Sequence, residues 1–190
     1  MTVTPCSLRP MTIEVRPVRH EERAEAGRVT ALAYREFVRP GEQAWEEYLD
    51  HIADVDSRAE RAVVLVAIED GRILGSATLE LGARIDPDED SPLAPDEAHI
   101  RMLGVDPDER GRGVARALMD ACFDEARSHG KRRMSLHTTQ RMSTAQAMYE
   151  RLGFERLPDR VFPDGFVLLT YERALGEGPG VVGAGSRSPA

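Results

Sequence analysis

The sequence predicts a single mixed α/β domain with the element order β-α-α-β-β-β-α-β-α-β-β. Three observations predict it. The 190 residues suffice for one domain with a substantial core. Short apolar runs bounded by turn signals, typical of strands, alternate with stretches in which apolar residues recur every three or four positions, typical of helices. A content of 41% hydrophobic and 31% charged residues indicates a globular chain rather than a disordered one.

The first half of the predicted domain consists of a strand, two helices and a hairpin. Alternating apolar and polar residues mark the first strand, and Pro40-Gly41 separates the two helices. Asp70-Gly71 is a hairpin-turn signal between two apolar runs. The predicted bounds are a strand at 12–18, helices at 20–37 and 42–53, and strands at 63–68 and 73–81.

The second half begins with an acidic, proline-rich stretch at 84–97, which predicts a solvated loop. Ser143 suits the N-cap of a later helix, and Gly153 suits the position just after its end. The predicted bounds are a strand at 98–105, a turn at 108–113, helices at 114–128 and 143–152, and strands at 134–137, 154–157 and 166–173.

The two ends of the chain differ in composition from the domain at 11–175. Residues 1–10 are interpreted as a flexible leader and lack the apolar segment of a secretory signal. Residues 176–190 are rich in glycine and predict a disordered tail. No stretch approaches the roughly 18 apolar residues of a membrane span, so the sequence favours a cytoplasmic protein.

Charge and cysteine content exclude several classes of function. A net charge of −8 argues against a general nucleic-acid or anionic-membrane binder, so neither partner is expected. The two cysteines, Cys6 and Cys122, form neither a disulfide framework nor a zinc-binding spacing, and no metal is expected. Lys131 is the single lysine among 25 basic residues. Since arginine suits bidentate phosphate recognition, the positions of the arginines matter.

The most informative segment is a strand that runs into the turn Arg110-Gly-Arg-Gly113 and then into a helix. A helix N-terminus presents unpaired N–H groups with partial positive charge, and glycines let a phosphate approach that backbone closely. Arg110, Arg112 and Arg116 add charge, so the turn predicts a pyrophosphate site. It matches neither GxxxxGK[ST] nor GxGxxG, which argues against a P-loop NTPase and a dinucleotide dehydrogenase. An ordinary surface turn is the alternative.

Two motifs resemble the signatures of the GCN5-related N-acetyltransferase (GNAT) family. Arg110-Gly-Arg-Gly-Val-Ala115 matches the family's [Q/R]-x-x-G-x-[G/A], and Ala145-Gln-Ala-Met-Tyr-Glu-Arg-Leu-Gly-Phe154 is similar to its A-x-x-x-Y-x-x-x-G-F. The resemblance implies a mostly antiparallel central sheet flanked by helices across residues 11–173. One departure is visible: the family often has Asn seven residues before this Tyr, and Met142 stands there.

The resemblance implies direct transfer of an acetyl group from the cosubstrate acetyl-CoA to an amine. The backbone around Leu103 would pair with the pantetheine arm, and an N–H there would polarise the thioester carbonyl. The turn would hold the pyrophosphate. The cofactor-binding residues so implied are Leu103, Gly104, Val105, Arg110, Gly111, Arg112, Gly113, Val114, Ala115 and Arg116.

Candidates for the base and the acid follow from the same resemblance. A period of two puts Glu97 and His99 on one face with Leu103 and Val105. Several family members use a carboxylate at the position of His99, whose ordinary pKa of about 6.5 suits a base. A structural histidine, a solvated Glu97 and a water relay remain alternatives. Tyr149 resembles the family's general acid, and a purely structural core tyrosine is its alternative reading.

The acceptor is expected to be an amine on a small molecule or on a protein or peptide, and a homodimer remains open. Aromatic residues of the first two helices could line its pocket, namely Tyr34, Phe37, Trp45 and Tyr48. The acidic loop could attract a cationic acceptor such as a polyamine. The alternative hypothesis is a non-catalytic acyl-CoA sensor on the same fold. A third, an Arg/Gly nucleic-acid module, is disfavoured by the net charge.

Overall fold

A computed structural model describes residues 12–39, 41–82, 92–163 and 165–176. The predicted leader at 1–10 and all but the first residue of the predicted tail at 176–190 lie outside these residues, as does most of the predicted acidic loop. Within the described residues, no helix combines the length and the apolar composition needed to cross a bilayer.

The observed α-helices and strands follow the predicted order, with two additions. The additional elements are a five-residue helix and a two-residue strand. The helices are α1 (Arg23–Arg35), α2 (Gln43–Ala53), α3 (Val55–Ala59), α4 (Val114–Ser128) and α5 (Ser143–Arg151). The strands are β1 (Glu14–Pro17), β2 (Val63–Glu69), β3 (Arg72–Glu80), β4 (Glu97–Val105), β5 (Arg133–Thr138), β6 (Glu155–Arg156), β7 (Arg160–Val161) and β8 (Val167–Ala174).

Local sequence signals explain the start of α3 and the end of α5. Asp54 caps α3 because its carboxylate accepts from the Ser57 N–H at 3.1 Å. Gly153 has a φ of +79° just after α5, as its position predicts. The prediction for Ser143 was wrong: Ser143 is the first helical residue, and the N-cap is Met142, whose side chain makes no capping bond.

The described strands form one sheet in the order β1-β2-β3-β4-β5-β8-β6, with β7 also pairing with β8. Within the described residues, β4 and β5 are the parallel pair and the other pairings are antiparallel. This arrangement confirms the predicted mostly antiparallel sheet. A parallel pair needs a crossover connection, and α4 provides it.

Helices cover both faces of the sheet. On one face α4 and α5 bury their apolar sides against β2 to β5, in a core that includes Leu118, Tyr149 and Ile100. On the other face α1 and α3 pack on β2 and β3, and Met102 of β4 packs against α2. Gly104 lets α1 lie directly on β4, since a Cβ there would come within 3.1 Å of the Ala33 Cβ.

A β-bulge near the end of β4 changes which side chains share a face. The pairing with β3 passes from Thr78↔Arg101 to Ser76↔Gly104, so two residues of β4 oppose one of β3. Met102, in the bulge, has a φ of +51°. The prediction that His99 shares a face with Leu103 and Val105 was therefore wrong.

Because of the bulge, the odd-numbered residues of β4 lie on one face of the sheet before Met102 and on the other face after it. Leu103 and Val105 contribute to the α4/α5 core, as Ala98 and Ile100 do. Alternation from Ala98 and Ile100 places His99 on the opposite face, where Met102 packs against α2. A bulge keeps the direction of the strand but moves the side chains that follow it to the other face of the sheet. A strict period of two does not predict this change.

Candidate active site

The strands β4 and β5 part at their carboxyl ends. Their pairing runs from Glu97↔Arg133 to Ile100↔Leu136, yet β4 continues to Val105 and β5 to Thr138. The diverging ends leave a gap between two backbones. An extended chain with alternating donors and acceptors can pair with backbone exposed in this way, as an added strand does.

The turn before α4 lies beside this gap and has the geometry of an anion site. Gly111 and Gly113 have φ values of +76° and +86°, a region that side chains other than glycine rarely adopt. A Cβ at either position would meet nothing within 4 Å, so the turn is open to an approaching group. Gly113 is the N-cap of α4 and supplies no side-chain bond to the helix amides. These amides therefore point towards an open surface.

The three arginines of the turn point in different directions. Arg110 donates to Glu36 at 3.0 Å, and Arg116 donates to Asp120 at 2.8 Å. Arg112 donates to Glu69 at 2.6 Å and also to Glu109. Each guanidinium already has a carboxylate partner. The backbone amides and the α4 dipole are therefore the main cationic features of the turn, and the arginines add less than their count suggests.

A cleft of about 440 Å³ opens on the α1/α2 side of the gap. Residues from α1, α2, β4, β5, β7 and β8 and from the loops beside them form its wall. The lining residues are Tyr34, Ala44, Trp45, Tyr48, His99, Ile100, Arg101, Met102, His137, Thr138, Thr139, Met142, Arg160, Phe162, Phe166 and Leu168. Three of the four predicted aromatic residues line the cleft, and Phe37 contacts the Tyr34 ring edge-on instead.

His99 lies in the wall of this cleft and is held by a hydrogen-bonded chain. Its Nδ1 lies 2.8 Å from the Ser135 Oγ, and that hydroxyl donates to Oε1 of Glu97. Since the serine proton is directed at Glu97, the serine oxygen accepts from Nδ1–H of His99. The lone pair of the imidazole is then on Nε2. Glu97 thus acts on His99 through Ser135 and is itself paired with Arg133 at 3.1 Å.

Tyr149 lies on the other side of the gap, on α5. It is 6% exposed, and its ring packs against Phe154 and Tyr171. Burial, with a smaller contribution from Tyr171, raises the pKa of Tyr149 above its ordinary value, so the phenol stays protonated at neutral pH. Burial raises the pKa of Tyr34 as well, and the nearby Tyr48 and Tyr149 contribute.

One ion pair ties the two sides of the cleft entrance together. Arg141, in the loop after β5, donates two hydrogen bonds of 2.7 Å to Glu42, immediately before α2. It also lies over the Trp45 ring at 5.7 Å. The bidentate bond to Arg141 lowers the pKa of Glu42 to about 2. The pair fixes α2, and with it Trp45, against the β5–α5 loop.

Several site residues escaped the sequence reasoning. Ser135, Arg101 and Arg160 carry no motif, and the pairing of Ser135 with His99 depends on a strand register 36 positions apart. Alternation in 134–137 could have indicated that Ser135 and His137 share a face. Nothing local indicates which strand lies beside it.

The residues present fit acetyl-CoA better than they fit a metal. Within the described residues, no group of three or more histidine, cysteine or carboxylate side chains is placed to hold a metal ion. The parted strands and the uncapped, open turn offer backbone donors for a pantetheine arm and a pyrophosphate. Met142, where the family often has Asn, lines the cleft, and its Sδ accepts from the Thr138 hydroxyl at 3.4 Å.

Comparison with known proteins finds relatives that are named as acetyltransferases. A mycothiol acetyltransferase of Geodermatophilus obscurus is 29% identical over 117 residues, 62% of this chain and 36% of that protein. Another, from Beutenbergia cavernae, is 44% identical over 62 residues, 32% of this chain and 21% of that protein. The chain thus matches roughly a fifth to a third of the length of these relatives.

Solved structures share the fold at low identity. The ribosomal-protein-S18-alanine N-acetyltransferase of Escherichia coli has a TM-score of 0.62 at 19% identity, over 90% of this chain and 98% of that one. An acetyltransferase of Salmonella typhimurium, solved with its cofactor acetyl-CoA, has a TM-score of 0.61 at 19% identity, over 88% and 96%. The model of the acetyltransferase (GNAT) family matches residues 28–154. The chain belongs to the acetyltransferase (GNAT) family.

Proposed function

We propose that the protein transfers an acetyl group from acetyl-CoA to a primary amine by direct attack in a ternary complex. The observation that carries this proposal is the position of the cleft. It opens at the end of the β4/β5 gap, so an amine in the cleft and a thioester in the gap would meet beside His99. Such positioning removes much of the entropic cost of a bimolecular reaction.

The cosubstrate would occupy the gap and the turn. Leu103, Gly104 and Val105 would pair with the pantetheine arm through their backbone, with the Leu103 N–H donating to the thioester carbonyl oxygen. Residues 110–116 would hold the pyrophosphate, chiefly through the amides of the α4 N-terminus. Acetyl-CoA supplies the activated acyl group.

Proton transfer is assigned to two side chains on opposite sides of the gap. Nε2 of His99 takes one proton from the ammonium, and the amine nitrogen then forms its bond to the acyl carbon as the C–S bond breaks. The nitrogen releases its second proton to solvent, which replaces the proton that Tyr149 gives up. Tyr149, which stays protonated, donates to the departing thiolate. Glu97 and Ser135 are positioning residues, since they hold His99 in the tautomer whose Nε2 carries the lone pair.

The test has two stages. Acetyl-CoA should first raise the melting temperature, which establishes cosubstrate binding. A panel of amines, including an acceptor related to the mycothiol named in the relatives, is then screened for release of CoA thiol. Release with at least one amine, and its loss in His99→Gln, is expected.

The non-catalytic sensor remains the second candidate because Met142 replaces an asparagine that the family often uses. That function predicts thermal stabilisation by acetyl-CoA and no thiol release with any amine. The same two-stage measurement therefore separates the two functions.

A further inference from the structure

Two imidazole rings contact each other in the wall of the cleft. His99 on β4 and His137 on β5 both line it, and their ring centroids are 4.9 Å apart at an angle of 56°. The strand register explains the contact. His99 lies opposite Ser135, and the period of two places His137 one step further along β5 on the same face. The proposed proton transfer uses His99 and gives His137 no role.

The two histidines differ in their access to solvent. His99 is 1% exposed, whereas His137 is only partly buried. Once Nε2 of His99 has taken a proton from the ammonium, the imidazolium is a charge with almost no contact with solvent. Such a buried charge is costly, and His99 has to lose the proton before the next turnover. A mechanism in which His99 is the base therefore needs a route from His99 to solvent.

The hydrogen-bonded chain behind His99 is a poor exit for this proton. It runs from Nδ1 to the Ser135 hydroxyl at 2.8 Å and from that hydroxyl to Glu97. Glu97 is 9% exposed and lies 3.1 Å from Arg133. A proton that followed this chain would stop in the interior and would neutralise one member of an ion pair. The chain therefore orients His99 but does not return it to the neutral state.

His137 offers a shorter exit. An imidazole has an ordinary pKa of about 6.5, so a neutral histidine can accept a proton at one ring nitrogen and release another from the second. The distance between the two centroids is within the range of ring pairs that are in contact. Because His137 is the more exposed of the two rings, a proton that reaches it is closer to solvent than one on His99.

We propose that His137 carries the proton from His99 to solvent after each acetyl transfer. This inference rests on the proposed function and adds a proton relay to it. Nε2–H of the His99 imidazolium donates its proton to one nitrogen of His137, and the other nitrogen of His137 releases a proton to solvent. One proton enters with the ammonium and one leaves, so both rings are neutral again. The step needs no further reactant.

Other ionisable side chains surround the two rings and act on their protonation. They are Glu80, which lies opposite His99 on β3, Glu97 and Arg101 on β4, Tyr34 on α1, Tyr48 on α2 and Arg160 on β7. A substitution of His137 leaves all of these groups in the protein. A change in the behaviour of His99 in such a variant therefore reports on His137.

The kinetic test uses His137→Ala and His137→Phe, of which the second keeps a ring against His99 but lacks its nitrogens. Above its ordinary pKa of about 6.5 His99 starts neutral, so the first turnover should keep the wild-type rate in both variants. Later turnovers should be at least about tenfold slower because the proton leaves slowly. Stopped-flow measurement of CoA thiol release should then show a burst equal to the enzyme concentration.

Imidazole in the buffer provides the rescue experiment. It should restore the steady rate of His137→Ala, because it takes the proton from His99 in place of the missing ring. His51→Gln is the matched control, since His51 stacks on the cleft residue Tyr48 but is not among the described lining residues. It should show neither a burst nor a dependence on imidazole. Unchanged turnover in both His137 variants, an equally slow first turnover, or a loss in His137→Ala that imidazole does not restore would overturn the relay.

A readout without turnover separates the relay from the function on which it rests. The nitrogen NMR shifts of the imidazoles are followed against pH in the resting protein. In the wild type His99 should titrate in two steps coupled to His137, and in His137→Phe it should titrate in one step. An identical titration of His99 in both proteins would overturn the relay, whatever the turnover. Coupled titration without thiol release from any amine would support the shared proton and contradict the proposed catalysis.

Discussion

The turn at 110–116 and the candidate acceptor cleft are built in opposite ways. The turn is one contiguous segment whose shape follows from two glycines with positive φ and the start of α4. The cleft takes its lining from six elements of the sheet and its helices and from adjoining loops. A candidate cofactor site made of backbone can therefore be encoded locally, whereas the candidate acceptor site depends on tertiary assembly.

The two regions also differ in how they use arginine. In the turn, Arg110, Arg112 and Arg116 each pair with a carboxylate on the protein. At the cleft wall, Arg101 lies 3.6 Å from the fully buried Glu80. The arginines of the turn are therefore more exposed to solvent than Arg101 of the cleft wall.

The largest effect is expected from His99→Gln, which should impair catalysis at the cleft without affecting acetyl-CoA binding at the turn. Loss of a general base should lower kcat roughly 10²- to 10⁴-fold. Stabilisation by acetyl-CoA should be unchanged because the substitution lies on the acceptor side. Steady-state kinetics and thermal shift measure the two effects. His129→Gln, at the exposed end of α4, is the control, and unchanged turnover in His99→Gln would remove His99 as the base.

Gly113→Val is expected to have the opposite effect, because it should impair acetyl-CoA binding at the turn and leave the cleft unchanged. Its φ of +86° disfavours a β-branched residue, and the new side chain would cover the α4 amides. The KM for acetyl-CoA should rise roughly 10-fold or more, as one to two lost charge-assisted hydrogen bonds would give, while the KM for the amine stays constant. Gly130→Val carries similar strain, at a φ of +72°, at the far end of α4. Equal losses in both variants would show a stability effect only.

A smaller effect is expected from Tyr149→Phe, because water can replace a proton donor in part. The kcat should fall about 10-fold, below the range typical of a general acid, and both KM values should be little changed. The ring keeps its place in the core, so the protein stays folded. Tyr171→Phe, one ring away and 1% exposed, is the matched control. Unchanged turnover at saturating amine would leave Tyr149 with a structural role alone.

Ser135→Ala tests the chain between Glu97 and His99. Loss of a hydrogen bond of about 1 kcal/mol should lower kcat about 5-fold and alter the pH dependence of kcat. Ser76→Ala removes a comparable buried bond, to Thr30, away from the cleft. It should reduce stability without changing the pH profile. Identical pH profiles for wild type and Ser135→Ala would contradict the positioning role.

The smallest effect is expected from the Glu42–Arg141 pair at the cleft entrance. The pKa of Glu42 is lowered from 4.5 to about 2 by its bond to Arg141, so the pair stabilises the fold above pH 4.5. This contribution should be lost as the pH falls from 4.5 towards 2. Denaturant unfolding of Glu42→Gln should show a deficit relative to wild type that is constant above pH 4.5 and shrinks below it. A deficit that grows on acidification would contradict the assignment.

Most of the fold could be predicted because its signals are local. The predicted helix over 114–128 has the same bounds as α4, because the glycine turn marks its start and the apolar spacing marks its extent. Helix α3 and strand β7 were missed because five and two residues are too short to show a period. The Asp54–Ser57 cap was the one signal available for α3.

The sequence by itself determined the order of elements, the glycine turn and the family, because each depends on residues close together in the chain. Only the tertiary structure decided that the bulge at Met102 puts His99 and Leu103 on different faces, that Ser135 connects His99 to Glu97, and that the motif's arginines are paired. These features depend on strand register and on charges brought together from distant segments. Local periodicity carries no information about strand register or about such charges. Both are set by the free energy of the whole folded chain relative to its alternative arrangements.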